Sequence, residues 1–128
     1  MFAHVSIRTA DIERSIDFYG KYFGMKPVFR KEIPQTESEI VFLESDGTDF
    51  RLELTWYKKQ SKFIQAEYEH RTFDHLAFIV KGMDTLLANM RSGGVTITDE
   101  PYTTPSGSKI AFIEDPDGTL IELIERLG

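Results

Sequence analysis

Thr119–Arg126 reads TLIELIER. Alternate residues of a strand point to opposite faces. Leu120, Glu122 and Ile124 therefore share one face, and Ile121 and Leu123 share the other. A carboxylate sits at the centre of a segment that is apolar on both sides. An ionised carboxylate without a partner is costly in such a setting, so Glu122 needs a counter-charge. Arg51–Trp56, RLELTW, carries the same apolar–glutamate–leucine core, with Glu53 lying 69 positions before Glu122.

The segments around these two cores run in the same order. His4–Thr9, HVSIRT, has strand character. Asp11–Gly24, DIERSIDFYGKYFG, spaces Ile12, Ile16, Tyr19 and Phe23 as a helix does, with Asp11 as N-cap and Gly24 as the stop. KPVFRKEI, EIVFLES and DFRLELTW are three strand candidates, and SDGTD between the last two is a hairpin signal. The polar stretch YKKQSKFIQAEYEHRT, residues 57–72, reads as a linker with some helix. Then FDHLAFIV is a strand and GMDTLLANMRSGG a helix with a Gly-Gly stop. VTITDEPY, SKIAFIED and TLIELIER are three more strands, with DPDG as the last turn. Each half is βαβββ, which predicts an α+β fold of two modules, about 1–57 and 73–128, within one domain of residues 1–128.

The chain has 128 residues, 41% of them hydrophobic and 12% aromatic, which suits a packed interior. Its net charge of −6 argues against a nucleic-acid face. With no cysteine, disulfides, thiol catalysis and zinc–thiolate sites are excluded. The start, MFAHVSIRTADI, lacks the basic and apolar regions of a signal peptide. No apolar run reaches the roughly 18 residues of a membrane span. The expectation is a soluble, cytoplasmic protein.

The repeat also duplicates chemistry. His75 follows His4 by 71 positions, close to the offset between the two glutamates. His4, Glu53, His75 and Glu122 thus stand at equivalent places, each near the start or middle of a strand. Two imidazoles and two carboxylates suit a divalent first-row ion, with two water positions open to substrate. Each residue also has a structural alternative. A lone His at a strand start is usually a surface residue. Arg51, Glu53 and Thr55 would form a solvated face if Phe50, Leu52, Leu54 and Trp56 point inward. His75 shares its face with Ala77 and Ile79. Glu122 fits such an alternative least, and the symmetry favours the joint assignment. His70 falls in the linker and reads as a surface residue.

HVSIRTADIERSIDFYGKYFGM, LELTW, DHLAF and AFIEDPDGTLIELIE together resemble the glyoxalase I (lactoylglutathione lyase) family of the vicinal oxygen chelate superfamily. The resemblance covers nearly the whole chain. It implies the paired-βαβββ glyoxalase/bleomycin-resistance/dioxygenase fold, with mixed sheets forming a cleft. It also implies that His4, Glu53, His75 and Glu122 are the metal ligands. The short length resembles the bacterial form, which implies Ni2+ or Co2+ rather than Zn2+. That form is a homodimer whose metal sites lie between subunits, the first His/Glu pair from one chain and the second from the other.

The resemblance further implies isomerisation of the hemithioacetal of methylglyoxal and glutathione to S-D-lactoylglutathione through an enediolate. A divalent ion would stabilise the developing oxyanion. Glu122 would act as the catalytic base, with Glu53 contributing at the symmetric position. Arg8, on the face of His4, matches a family position that contacts the glutathione carboxylate, and Arg71 matches an arginine found in some members, so both are candidate substrate-binding residues. Arg8 could equally be a salt-bridged edge residue. The family's Asn shortly after the first Glu is missing from LELTWYKKQSK, which leaves room for another thiol, with Lys58 and Lys59 as substitutes or solvated residues. Three other readings stay within the superfamily: a methylmalonyl-CoA-type epimerase, an extradiol dioxygenase or a fosfomycin thiol transferase. The last two use a two-His, one-Glu set, against which Glu53 argues. A ligand-sequestering resistance protein would lack the metal set altogether.

Overall fold

The computed structural model describes residues 1–59 and 72–127. The chain divides into two compact units, Met1–Ile64 and Gln65–Gly128. Most of the expected linker, together with His70 and Arg71, lies outside the described residues. No helix among the described residues is long and apolar enough to cross a membrane.

The first unit holds β1 (His4–Arg8), α1 (Ile12–Phe23), β2 (Lys26–Ile33), β3 (Ser38–Glu44) and β4 (Arg51–Tyr57). The expected βαβββ order is met, with one addition: a single 3-10 turn over Pro34–Thr36 joins β2 to β3. Proline supplies no amide to a sheet ladder and its fixed φ suits a turn start. The sheet order is β1-β4-β3-β2, with β1 parallel to β4 and the other pairs antiparallel. Helix α1 starts where Asp11 accepts a bond from the Arg14 amide at 3.1 Å. It stops at Gly24, whose φ of 64° is the left-handed conformation that glycine adopts freely.

Ile12, Ser15, Phe18 and Tyr19 of α1 are buried, and the helix lies against β4. The buried sheet face is Val41, Leu43, Leu52 and Leu54. Phe50, expected inward with Leu52 and Leu54, is instead 43% exposed. It precedes the strand, which begins at Arg51, and stacks on Phe2. Arg30 of β2 pairs with Glu39 of β3 at 3.0 Å and with Glu13 of α1. Glu39 and then Glu13 stabilise its charge, so its pKa rises above the ordinary arginine value.

The second unit repeats the plan with β5 (Leu76–Ile79), α2 (Met83–Ser92), β6 (Ile97–Thr103), β7 (Ser108–Glu114) and β8 (Leu120–Arg126). Its sheet order, β5-β8-β7-β6, reproduces the first, with β5 parallel to β8. Met83, Leu87 and Met90 of α2 are buried, as are Ala111, Ile113, Ile121 and Leu123 of the sheet. Gly82 has no side chain to cap α2. The Glu125 carboxylate of β8 accepts from the Gly82 and Met83 amides instead, at 2.5 and 3.4 Å. A carboxylate there suits the positive end of the helix dipole. In the DPDG turn, Asp115 Oδ1 accepts from the Asp117 and Thr119 amides at 2.8 and 2.9 Å. That turn sets the β7–β8 register, which aligns Phe112 with Glu122.

Candidate metal centre

β4 is a central strand of the first sheet, and its odd-numbered residues face away from the helix-covered core. Cross-strand partners share a face. Ser6 is paired with Glu53, Arg8 with Thr55, Phe42 with Glu53 and Ser38 with Tyr57. The face that carries Glu53 therefore mixes polar groups with Phe42 and Ile40, and it is concave. A cleft of about 390 Å3 is lined there by Ser6, Arg8, Ser38, Glu53, Thr55 and Tyr57, among others.

Glu53 does not lie on a freely solvated face, since its side chain is only 15% exposed. His4 Nε2 stands 3.7 Å from Glu53 Oε2. The imidazole meets Phe42 edge to face, with ring centroids 5.0 Å apart. Thr55 donates a hydrogen bond to the other oxygen, Glu53 Oε1, at 2.9 Å. Ser6 and Thr55 hydroxyls lie 2.8 Å apart.

The second unit rebuilds the same group. His75 Nε2 stands 3.4 Å from Glu122 Oε1, and that glutamate is 19% exposed. The His75 ring meets Phe112 edge to face at 5.7 Å. Phe112 is the cross-strand partner of Glu122, as Phe42 is of Glu53. One expectation needs correction. His75 does not open a strand, because β5 begins at Leu76. The ring is oriented by its neighbour instead, with Asp74 Oδ1 2.5 Å from His75 Nδ1. A carboxylate on one ring nitrogen leaves the other free for a ligand role, a common arrangement around metal-binding histidines.

The structure thus brings His4 to Glu53 and His75 to Glu122. Among the described residues, no group of three or more His, Asp or Glu side chains stands ready to hold a metal. Both separations exceed an ordinary hydrogen bond, so neither pair is closed on itself by a short contact. Nitrogen and carboxylate-oxygen donors fit a divalent first-row ion. The pairs match such an ion in chemistry, two donors at a time.

Arg8 lies in the first unit's cleft with its guanidinium 4.5 Å from the Tyr57 ring centroid. It makes no ion pair among the described residues. Lys59 pairs with Glu37 at 3.0 Å on the surface. Phe42 and Phe112 escaped the sequence reading because strand phenylalanines pass as sheet packing. Their signal was available: they lie 70 positions apart, between the offsets of 71 for the histidines and 69 for the glutamates.

The sequence pattern of the Glyoxalase/Bleomycin resistance protein/Dioxygenase superfamily matches residues 1–123. The chain belongs to this superfamily. A lactoylglutathione lyase of Arabidopsis thaliana is 36% identical over 129 residues, covering 98% of the chain and 44% of that protein. The lactoylglutathione lyase of Escherichia coli O157:H7 is 35% identical over 128 residues, covering 96% of the chain and 90% of the relative. The chain therefore spans less than half of the plant relative and most of the bacterial one. The trypanothione-dependent glyoxalase I of Leishmania major superposes with a TM-score of 0.77 at 34% identity, over 95% of the chain and 84% of that protein. The superfamily's paired-βαβββ architecture is the one built by these two units.

Proposed function

We propose that the chain is a metal-dependent lactoylglutathione lyase of the glyoxalase I type. Its substrate would be the hemithioacetal of methylglyoxal and a thiol, with glutathione the first candidate. One observation carries the reading: a His–Glu pair braced by a Phe occurs in each unit at the same register. The 35–36% identity to lactoylglutathione lyases supports it.

His4, Glu53, His75 and Glu122 would hold one divalent ion, Ni2+ or Co2+ before Zn2+. When bound, the ion would act as a Lewis acid toward the oxyanion that develops as the carbon acid ionises. One pair supplies only two donors, and in this proposal the second pair comes from a partner subunit in a homodimer. Glu122 takes the proton from the hemithioacetal C1 and returns it to C2. The C1 hydroxyl proton passes to the C2 oxygen, so the carbonyl moves from C2 to C1 and the product thioester has the same atoms as the substrate. Glu53 faces the same ion at the symmetric position. Arg8, beside the Tyr57 ring, receives a carboxylate of the anionic thiol, and Arg71 serves the same end. A cytoplasmic location accords with the cytosolic glutathione pool.

Metal analysis of the purified protein tests this, followed by a methylglyoxal assay with and without glutathione. The expected result is one bound ion per site and thiol-dependent thioester formation. Stoichiometric metal without turnover of any thiol hemithioacetal would defeat the lyase assignment.

A further inference from the structure

The two His–Glu–Phe groups agree in their ligand atoms and differ in what surrounds the carboxylate. In the first unit Ser6 is the register partner of Glu53 and Arg8 that of Thr55. In the second unit the corresponding pairs are Ala77 with Glu122 and Ile79 with Ile124. Every hydroxyl that flanks Glu53 is thus replaced by a hydrocarbon beside Glu122.

The hydroxyls form a directed chain. Glu53 as a carboxylate only accepts, so the single Thr55 hydroxyl proton goes to Oε1 at 2.9 Å. Thr55 then has only lone pairs for Ser6, so the Ser6 hydroxyl is the donor across 2.8 Å. Bonds in such a chain strengthen one another. Thr55 is 8% exposed, which shields its bond to Glu53 from competition by water, whereas Ser6 is exposed. One oxygen of Glu53 is therefore engaged, and Oε2 is the oxygen presented toward His4. Glu122 receives no side-chain hydrogen bond among the described residues, and in its unit the polar support goes to His75 through Asp74.

We propose that Thr55, backed by Ser6, is a positioning residue that fixes the Glu53 carboxylate as a permanent metal ligand. The absence of its counterpart leaves Glu122 the carboxylate that turns away to carry the proton. This rests on the metal assignment above. It gives a structural reason why two symmetric glutamates take unequal roles.

The test is Ni2+ titration of metal-free wild-type, Thr55→Val, Thr55→Ser and Ser6→Ala proteins by calorimetry, with thermal melts of the metal-free proteins alongside. Thr55→Val is nearly isosteric and removes the donor. It should weaken Ni2+ binding about 10–100-fold, the usual effect of losing a bond that orients a ligand. Thr55→Ser keeps the hydroxyl and should bind within a few-fold of wild type. Ser6→Ala should show a smaller loss of the same kind. Unchanged affinity in Thr55→Val, or equal loss in Thr55→Val and Thr55→Ser, would overturn this inference while leaving the metal assignment intact. A wild-type protein that binds no divalent ion would overturn the metal assignment and this inference with it.

Discussion

Glu122 is the residue on which the proposed chemistry turns. It sits on β8 with Leu120, Ile124 and Ala77 around it and His75 as its ionic neighbour. Glu122→Gln keeps the shape and removes the base. The expected outcome is a loss in kcat of about 10²–10⁴-fold, the range for a positioned general base, with KM little changed. Metal should still be found in the purified variant. A near-normal kcat would rule out Glu122 as the base. Arg8 is proposed to act in binding instead of chemistry. Arg8→Met should raise KM for glutathione hemithioacetal about 10–100-fold, the value of one hydrogen bond to a charged group, with kcat kept. The histidines and glutamates were legible because a repeat placed each type twice, at offsets of 71 and 69. Phe42, Phe112 and Asp74 were not, because a ring against a ring and a carboxylate beside its own neighbour are facts of side-chain direction. Thr55 was hidden for the same reason. Alternation put it on the face of Glu53, but nothing in TLIELIER or RLELTW said that face was enclosed.

At the scale of elements, the helices were the most legible because their ends are chemical. Asp11 and Gly24 bound α1 where their side-chain and φ preferences dictate. The α2 cap was not legible, since Glu125 comes from a strand 42 residues after Met83. β5 proved shorter than its apolar run and begins after His75, because the parallel pairing with β8 starts at Leu76 and Ile121. Asp11→Ala and Glu125→Ala should each cost about 1 kcal/mol, the usual value of an N-cap. Urea denaturation checks this as a lower midpoint with unchanged slope. Glu125→Gln retains an acceptor oxygen and loses the charge, so it should fall between wild type and Glu125→Ala. If Glu125→Ala is as stable as wild type, the α2 amides find water instead and the strand-borne cap contributes nothing.

At the scale of the whole molecule, duplication explains why one short chain would carry two incomplete donor pairs. Each pair alone leaves most positions of a six-coordinate ion unfilled, and the proposed twofold homodimer would supply the complement by symmetry. This has a consequence that no intrachain site shares. Consider one variant with His4→Ala and Glu53→Ala, and another with His75→Ala and Glu122→Ala. Each homodimer loses both sites. In the mixed dimer, one site collects all four damaged positions and the other collects four intact ones. Co-expression of the two variants should therefore restore about a quarter of wild-type activity when subunits pair at random in a closed twofold dimer. Half of the dimers would be mixed, and each would hold one working site of two. The measurement is thioester formation per mole of chain, with each variant alone as the blank. If both pairs of one chain served the same ion, every chain in the mixture would be damaged, and activity would stay at the blank whatever the mixing ratio.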